Sequence, residues 1–162
     1  MALGSNLGDR LVNLRNARKD IAALGGVLPP MMSSAVYETE PVGCEPGAAQ
    51  FLNAAIEIGY EGQPEVLLSA LKTIEKALGR PGDHARNVSR TIDLDLLYFG
   101  DTVMSAPRLQ LPHPRIFGRE FVLRPLADIR PDLVLPGQAD SVGQLLRALT
   151  ATPAVVRLQL EW

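Results

Sequence analysis

Two carboxylates lie two residues apart in the stretch RTIDLDLLYFG, where Asp93 and Asp95 interrupt an otherwise apolar run. In a β-strand alternate side chains share a face, so both aspartates are predicted to point to one side and Leu94 to the other. At about 7 Å and an effective dielectric near 20, two such negative charges repel by roughly 2.4 kcal/mol. A Mg²⁺ ion would offset this repulsion, because it favours carboxylate, water and phosphate oxygens. The alternative is a pair of aspartates that are solvated or paired with arginines.

A basic segment, RPGDHARNVSR, directly precedes the two aspartates. It is rich in loop-forming residues and contains four cationic or titratable groups, Arg80, His84, Arg86 and Arg90. Guanidinium groups bind phosphate oxygens, and a metal ion can bridge carboxylates to phosphates, so the combination favours a metal–nucleotide site. Internal pairing of these arginines with the aspartates is the alternative. The chain has no P-loop motif, and GSNLGD lacks the preceding strand and the glycine spacing of a dinucleotide fingerprint.

The composition limits the class of protein. With 162 residues, 46% of them hydrophobic, the chain is expected to form a single domain over residues 1–162. A formal charge of −2 gives no overall attraction to nucleic acid or anionic membranes, so we expect small-molecule partners only. One cysteine and two histidines are too few for a disulfide or a Cys/His zinc site. With no long apolar run and no signal segment, a cytoplasmic soluble protein is expected. A monomer is expected as well.

Periodicity predicts the elements that position these residues. Helical spacing of apolar residues is found over residues 11–24 and 64–78, and strand-like segments are SSAVYETE and FLNAAIEIGY. A short helix is predicted near residues 119–129, another after a Ser141 cap, and a closing strand in AVVRLQLEW. The order favours an α+β, ferredoxin-like βαββαβ fold, with an antiparallel sheet, helices on one face and a C-terminal extension.

Five segments of the chain resemble successive motifs of the hydroxymethyldihydropterin pyrophosphokinase family. They occur in the order and approximate spacing of the family, up to about Pro136: ALGSNLGDR, SSAVYETEPVG, FLNAAIEI, RTIDLDLLYFG and LPHPRIFGREFVLRPLADI. The resemblance implies a ferredoxin-like fold and transfer of diphosphate from ATP to the hydroxymethyl group of 6-hydroxymethyl-7,8-dihydropterin, giving AMP, in folate biosynthesis. A non-catalytic or weakly active pterin- or nucleotide-binding relative is the second hypothesis. A ferredoxin-like RNA-binding module is disfavoured by the acidic balance and the lack of an RNP-type aromatic strand.

The resemblance also implies roles for individual residues. Asp93 and Asp95 would hold two Mg²⁺ ions and act in catalysis together with Arg80 and Arg90. The family's ATP contacts fall on Lys72, Glu75, Arg86, Leu96, His113 and Arg119. Its pterin contacts fall on Thr39, Val42, Phe51, Asn53 and Phe121, types that suit a flat heterocycle with hydrogen-bonding edges. Considered without the resemblance, the two phenylalanines are also typical of a core, and His113 of an ordinary loop.

The sequence departs from the family pattern at three places. Asn87, Val88 and Ser89 stand where the family usually has Trp-Gly-Pro, and Gly82 stands where many relatives have a basic residue. Relatives also have several apolar residues before ALGSN, whereas this sequence has only Met1 there. We therefore expect altered nucleotide affinity or turnover, and a first strand that is either shortened to Ala2 and Leu3 or begins upstream.

Overall fold

The fold is an antiparallel sheet covered by helices, seen in a computed structural model that describes residues 1–80, 88–150 and 154–162. The strands are β1 (Ala2–Ser5), β2 (Val27–Ser33), β3 (Val36–Thr39), β4 (Phe51–Tyr60), β5 (Asp93–Asp95), β6 (Met104–Ala106), β7 (Leu109–Leu111) and β8 (Val155–Leu158). The helices are α1 (Arg10–Ala22), α2 (Pro64–Ala77), α3 (Glu120–Ile129) and α4 (Val142–Ala148). The main sheet has the order β5-β1-β4-β3-β8, with β2 also paired to β4, and β6 and β7 form a separate hairpin. This confirms the predicted ferredoxin-like class.

Local sequence signals explain where the helices begin. The Asp9 carboxylate accepts a hydrogen bond from the Val12 backbone N–H at 3.0 Å and caps α1. Pro64 occupies the first turn of α2, where its missing N–H leaves no helical bond unmade. Ser141 and Gln144 form a reciprocal capping box at the start of α4, which confirms the predicted serine cap.

Two hydrophobic clusters lie on opposite faces of the sheet. One contains Leu14, Ile21, Leu67 and Leu71 of α1 and α2, packed against strand residues such as Leu94. The other contains residues of α3 and α4 with the segments that flank them: Leu97, Ile116, Val122, Leu123, Leu126, Leu135 and Val142. Each fully buried leucine or isoleucine contributes about 1.5–3 kcal/mol. The first two helices thus share one face as predicted, and the C-terminal extension covers the other face.

Strand β1 lies between β4 and β5 and is paired on both edges. Ala2 lies opposite Ala55 and Asp95, and Gly4 lies opposite Asn53 and Asp93. The short first strand expected from the sequence is therefore fully paired, and it connects the aspartate strand to the middle of the sheet.

Strand β2 and the β6–β7 hairpin were not predicted. Pro29 and Pro30 lie inside β2 and cannot donate backbone hydrogen bonds, so the segment reads as a loop. It is nevertheless a strand. Among the described residues β2 pairs with β4 alone, and the two prolines lie between Leu28 and Met32, where the register of this pairing shifts. The predicted closing strand is confirmed but shorter, and the chain beyond it is anchored by the Trp162 indole N–H, which donates to the Ser34 carbonyl at 2.8 Å. No helix in the described part of the chain could span a membrane.

Candidate active site

A cavity of about 310 Å³ opens on the face of the sheet that carries Asp93 and Asp95. Its floor is formed by the ends of β1, β3, β4 and β5, and its far wall by the start of α3. The register explains the grouping, since Gly4 lies beside both Asp93 and Asn53. The burial of Leu94 on the opposite face confirms the predicted orientation of the aspartates.

Most of the residues implied by the family resemblance line this cavity. Nine of them do: Thr39, Val42, Phe51, Asn53, Arg90, Asp93, Asp95, Arg119 and Phe121. Five others do not line it: Lys72, Glu75, Arg80, Leu96 and His113. Arg86 lies outside the described residues, as do Gly82, His84 and Asn87.

Asp93 is held by two arginines, as the internal-pairing alternative anticipated. One carboxylate oxygen is paired with Arg80, and the other lies 2.9 Å from the Arg90 guanidinium. Burial alone would raise the pKa of Asp93, but Arg90 and Arg80 outweigh burial and lower it. Asp93 is therefore a carboxylate at neutral pH with its charge already partly compensated.

Glu75 joins α2 to the aspartate strand. The side chains of Glu75 and Arg80 are only 4% and 7% exposed. One Glu75 oxygen accepts a hydrogen bond from the Leu94 backbone N–H at 2.7 Å and also forms an ion pair with Arg80. The other oxygen lies 2.9 Å from the half-exposed Lys72 ammonium. Next along the chain from Asp95, the Leu96 side chain packs in the α1–α2 cluster. Lys72, Glu75 and Arg80 thus form a network behind Asp93 that fixes its position.

Asp95 differs from Asp93 in its surroundings. No ion pair to Asp95 occurs within residues 1–80, 88–150 and 154–162, although it lines the cavity. The same part of the chain contains no group of three or more His, Cys, Asp or Glu residues that could surround a metal ion. A cation bound by both aspartates would therefore take its remaining ligands from water or substrate, which is the coordination Mg²⁺ favours.

His113 lies beside the aspartates in the turn that precedes α3. Burial lowers its pKa despite the opposing charge of Asp95, so the imidazole is neutral at pH 7. Its Nδ1 accepts the Arg115 backbone N–H at 3.2 Å, which in the neutral ring leaves the proton on Nε2. His113 is thus fixed as an uncharged hydrogen-bond donor at Nε2.

The other half of the cavity suits a flat ring with polar edges. The Asn53 amide, 7% exposed, donates from Nδ2 to the Thr39 hydroxyl at 2.7 Å, which fixes the amide plane. Arginines approach the two aromatic rings, with Arg90 5.5 Å from the Phe51 centroid and Arg119 5.5 Å from that of Phe121. The cavity therefore combines aromatic faces, an oriented amide and guanidinium groups.

Helix α3, which brings Phe121 into the cavity, is tied to β3. The Tyr37 hydroxyl donates to the Asp128 carboxylate at 2.9 Å, and the Ala35 N–H donates to the same carboxylate at 3.0 Å. Burial, with the hydrogen bond to Asp128, raises the pKa of Tyr37 to about 12, so this link persists across the neutral range. The aromatic wall is thereby fixed relative to Thr39 at the end of the same strand.

Sequence reasoning missed Asn6, which organises the arginine side of the site. Asn6 is 2% exposed, and its side-chain oxygen accepts the Arg90 N–H at 2.7 Å. Its Nδ2 donates to the Ser89 hydroxyl at 2.9 Å and to the Ala49 carbonyl at 3.1 Å. The backbone N–H groups of Asn6 and Leu7 both donate to the Arg90 carbonyl. The available signal was an asparagine directly after a buried strand, a position where an amide can satisfy neighbouring backbone groups.

Ten more residues that line the cavity have no site role from the sequence alone: Ala2, Leu3, Gly4, Glu40, Cys44, Arg115, Gly118, Glu120, Val122 and Val155. Val155 belongs to β8, where it lies opposite Thr39. The C-terminal strand, whose role the sequence left open, therefore contributes to the cavity wall.

Comparisons with known proteins agree with this arrangement. A family model described as 7,8-dihydro-6-hydroxymethylpterin-pyrophosphokinase (HPPK) matches residues 1–131. The 2-amino-4-hydroxy-6-hydroxymethyldihydropteridine pyrophosphokinase of Bacillus subtilis is 45% identical over 129 residues, covering 80% of this chain and 75% of that protein. Its counterpart in Methylorubrum extorquens is 42% identical over 138 residues, or 85% of each chain.

Solved structures support the fold independently. A Plasmodium falciparum HPPK-DHPS triple mutant with pteroate superposes with a TM-score of 0.64 at 14% identity, covering 90% of this chain and 42% of that chain. At such low identity the likeness concerns the fold alone. The match to the family model and the two bacterial relatives carry the assignment: the chain belongs to the 7,8-dihydro-6-hydroxymethylpterin-pyrophosphokinase family.

Proposed function

We propose that the cavity on the aspartate face is where diphosphate passes from ATP to 6-hydroxymethyl-7,8-dihydropterin. The pterin hydroxyl oxygen forms a bond to the β-phosphorus, and the bond from that phosphorus to the oxygen it shares with the α-phosphorus breaks. AMP leaves with the bonding electron pair, and the hydroxyl proton is released. The proposal rests on one observation: a single cavity is lined by the carboxylates of Asp93 and Asp95 and also by the Asn53 amide and the aromatic rings near it.

Asp93 and Asp95 are proposed to hold Mg²⁺, two ions being the number expected from the family. The donor set fits, since both carboxylates line the cavity and Asp95 has no cationic partner in the described part of the chain. Bound there, the metal supplies charge neutralisation of the phosphate oxygens and polarisation of the attacking hydroxyl. Asp93, held from behind by Arg80, presents its carboxylate in a fixed position. Fixed carboxylates lower the reorganisation needed at the moment of reaction.

Arg90, Arg119 and His113 are proposed to contact the triphosphate. Arg90 lies at the cavity edge with its backbone held by Asn6, and the neutral His113 presents an Nε2–H donor. Lys72, Glu75, Arg80 and Leu96 lie behind this wall, and we propose that they act mainly by fixing β5. Arg86, which lies outside the described residues, is proposed from the family resemblance to bind phosphate.

Asn53, Thr39, Val42, Phe51 and Phe121 are proposed to bind the pterin. Its bicyclic ring has apolar faces, which suit the two phenylalanines, and an edge with both donors and acceptors, which suits an amide. The bond from Asn53 to Thr39 fixes which amide atom faces the ring. We also propose that residues 1–162 act as a single cytoplasmic domain and as a monomer.

Incubation of the protein with ATP, Mg²⁺ and 6-hydroxymethyl-7,8-dihydropterin tests the function. AMP and a pterin diphosphate should form in equal amounts, as followed by phosphorus NMR. A 6-methyl analogue of the pterin is the matched control, since without the hydroxyl it should yield no AMP. Binding of both substrates without AMP formation would instead identify a non-catalytic relative.

Gly4→Ala should weaken pterin binding selectively. A Cβ at this position would lie 3.0 Å from the Asn53 side-chain oxygen, and the amide cannot retreat without straining its bond to Thr39. We expect the KM for pterin to rise about tenfold, the loss of roughly one hydrogen bond, with the affinity for nucleotide unchanged. Thermal stability should not fall, because alanine is favoured over glycine within a strand.

Gly25→Ala is the matched control for this variant. A Cβ there meets no atom within 4 Å, and Gly25 does not line the cavity. Equal pterin KM values for the two variants would show that the space at Gly4 does not set the position of Asn53.

A further inference from the structure

The turn before α3 carries two arginines, Arg119, which is proposed above to contact the triphosphate, and Arg115, which has no assigned role. Both line the same cavity as the aspartates of β5. Among the described residues neither forms an ion pair, whereas Arg90, the other cavity arginine, is bound to Asp93. Two arginines that have no ion pair within the described part of the chain thus line the same space.

The backbone of this turn holds the two arginines in place. Ile116, between them, is fully buried, and its N–H donates to the His113 carbonyl at 3.2 Å. The Arg119 N–H donates to the Ile116 carbonyl at 3.3 Å, and the Arg115 N–H donates to the His113 ring. Arg115 itself is exposed, so its position follows from the rigid turn and not from burial of its side chain.

The two arginines are close enough to affect each other. Burial lowers the pKa of Arg119, and the charge of Arg115 lowers it further, while Asp95 and Asp93 oppose the change. Like charges held together on a rigid turn are unfavourable unless an anion neutralises them, and guanidinium groups bind phosphate oxygens with paired hydrogen bonds. Within the described residues neither arginine has an ion-pair partner, so an anion bound beside them would relieve their mutual repulsion.

We propose that Arg115 is a further phosphate-binding residue, which acts with Arg119 on the polyphosphate of the nucleotide. The inference rests on the proposed function, because it takes the nucleotide to occupy this cavity. It assigns a direct contact to a residue that neither the motif pattern nor the basic loop indicated.

Binding of α,β-methylene ATP with Mg²⁺, measured by titration calorimetry on the full chain, tests the proposal. Arg115→Ala should raise the Kd for this analogue about 10- to 100-fold, the range for a hydrogen bond to a charged group. Arg115→Lys should restore part of the affinity, because it keeps the charge but loses the planar fork. The Kd for hydroxymethyldihydropterin should stay within about twofold of wild type by the general rule for sites without shared contacts.

Arg108→Ala is the matched control, since Arg108 is exposed in the β6–β7 turn and does not line the cavity. It should bind the analogue like wild type. If Arg115→Ala also binds like wild type, or if it loses pterin and nucleotide affinity alike, the inference is wrong and the proposed function stands. If wild type binds neither the analogue nor inorganic pyrophosphate, both the inference and the proposed function are wrong.

Discussion

Asp95→Ala is expected to fold normally and to lose roughly 10³-fold in the rate of AMP formation, since a lost metal ligand removes several kcal/mol of transition-state stabilisation. Folding should be unaffected because Asp95 forms no ion pair with any described residue and its removal relieves repulsion from Asp93. Asp93→Ala would be less informative, since it would also remove an ion-pair partner of Arg80 and of Arg90. The measurement is the rate of AMP release at saturating substrates, together with urea unfolding of the same sample.

Asp132→Ala is the control for this loss, because Asp132 is exposed and outside the cavity. It should keep wild-type activity. Wild-type AMP release by Asp95→Ala would exclude this carboxylate from metal binding. Rescue of the variant at millimolar Mn²⁺ would add support, since it would show that the metal is bound weakly and not that the fold is lost.

Glu75→Ala is expected to lower the free energy of unfolding by about 3–5 kcal/mol, the range for breaking a buried ion pair by removing one partner. The variant leaves Arg80 buried with only part of its compensating charge and leaves the Leu94 N–H without its acceptor. Solvent does not screen these contacts, because Glu75 is 4% and Arg80 7% exposed. Urea unfolding of nucleotide-free protein gives the value.

Two further variants separate a structural role of Glu75 from a contact with ATP. Glu75→Gln keeps an acceptor for the Leu94 N–H and should lose less stability than Glu75→Ala. Glu65→Ala, at an exposed position of the same helix, should change stability by no more than about 1 kcal/mol. Unchanged stability of Glu75→Ala with a raised Kd for nucleotide would instead favour direct contact with ATP, as the family resemblance alone implied.

The face of the aspartate strand could be predicted because its cause is local. Alternation separates Leu94 from Asp93 and Asp95, and burying Leu94 requires the aspartates to point the other way. The helices α1 and α2 were predictable for the same reason, since apolar stripes and caps lie within each segment. Strand β2 could not be predicted, because Pro29 and Pro30 argue against a strand and only pairing with residues 56–60 of β4, beyond the pairing of β4 with β3, makes one possible.

Contacts between distant segments could not be read from the chain. Arg80 and Arg90 were expected to bind phosphate or to pair with aspartates. The pair between Arg90 and Asp93 is local, whereas only the packing of α2 behind β5 shows that Arg80 also contacts Asp93. The role of Asn6 depends on Ala49 and Arg90, which lie 43 and 84 residues away. In the sequence nothing distinguishes Arg115 from other surface arginines, and only the turn around the buried Ile116 places it on the cavity wall.

Crystals of the protein grown with Mn²⁺ and α,β-methylene ATP, an analogue in which the scissile oxygen is replaced, give the most direct test of the central idea. Anomalous scattering locates Mn²⁺ independently of the carboxylates. Manganese is expected within about 2.1–2.3 Å of oxygens from both Asp93 and Asp95 and of phosphate oxygens of the analogue. An analogue bound in the cavity with manganese elsewhere, and with Asp95 contacting only water, would contradict it.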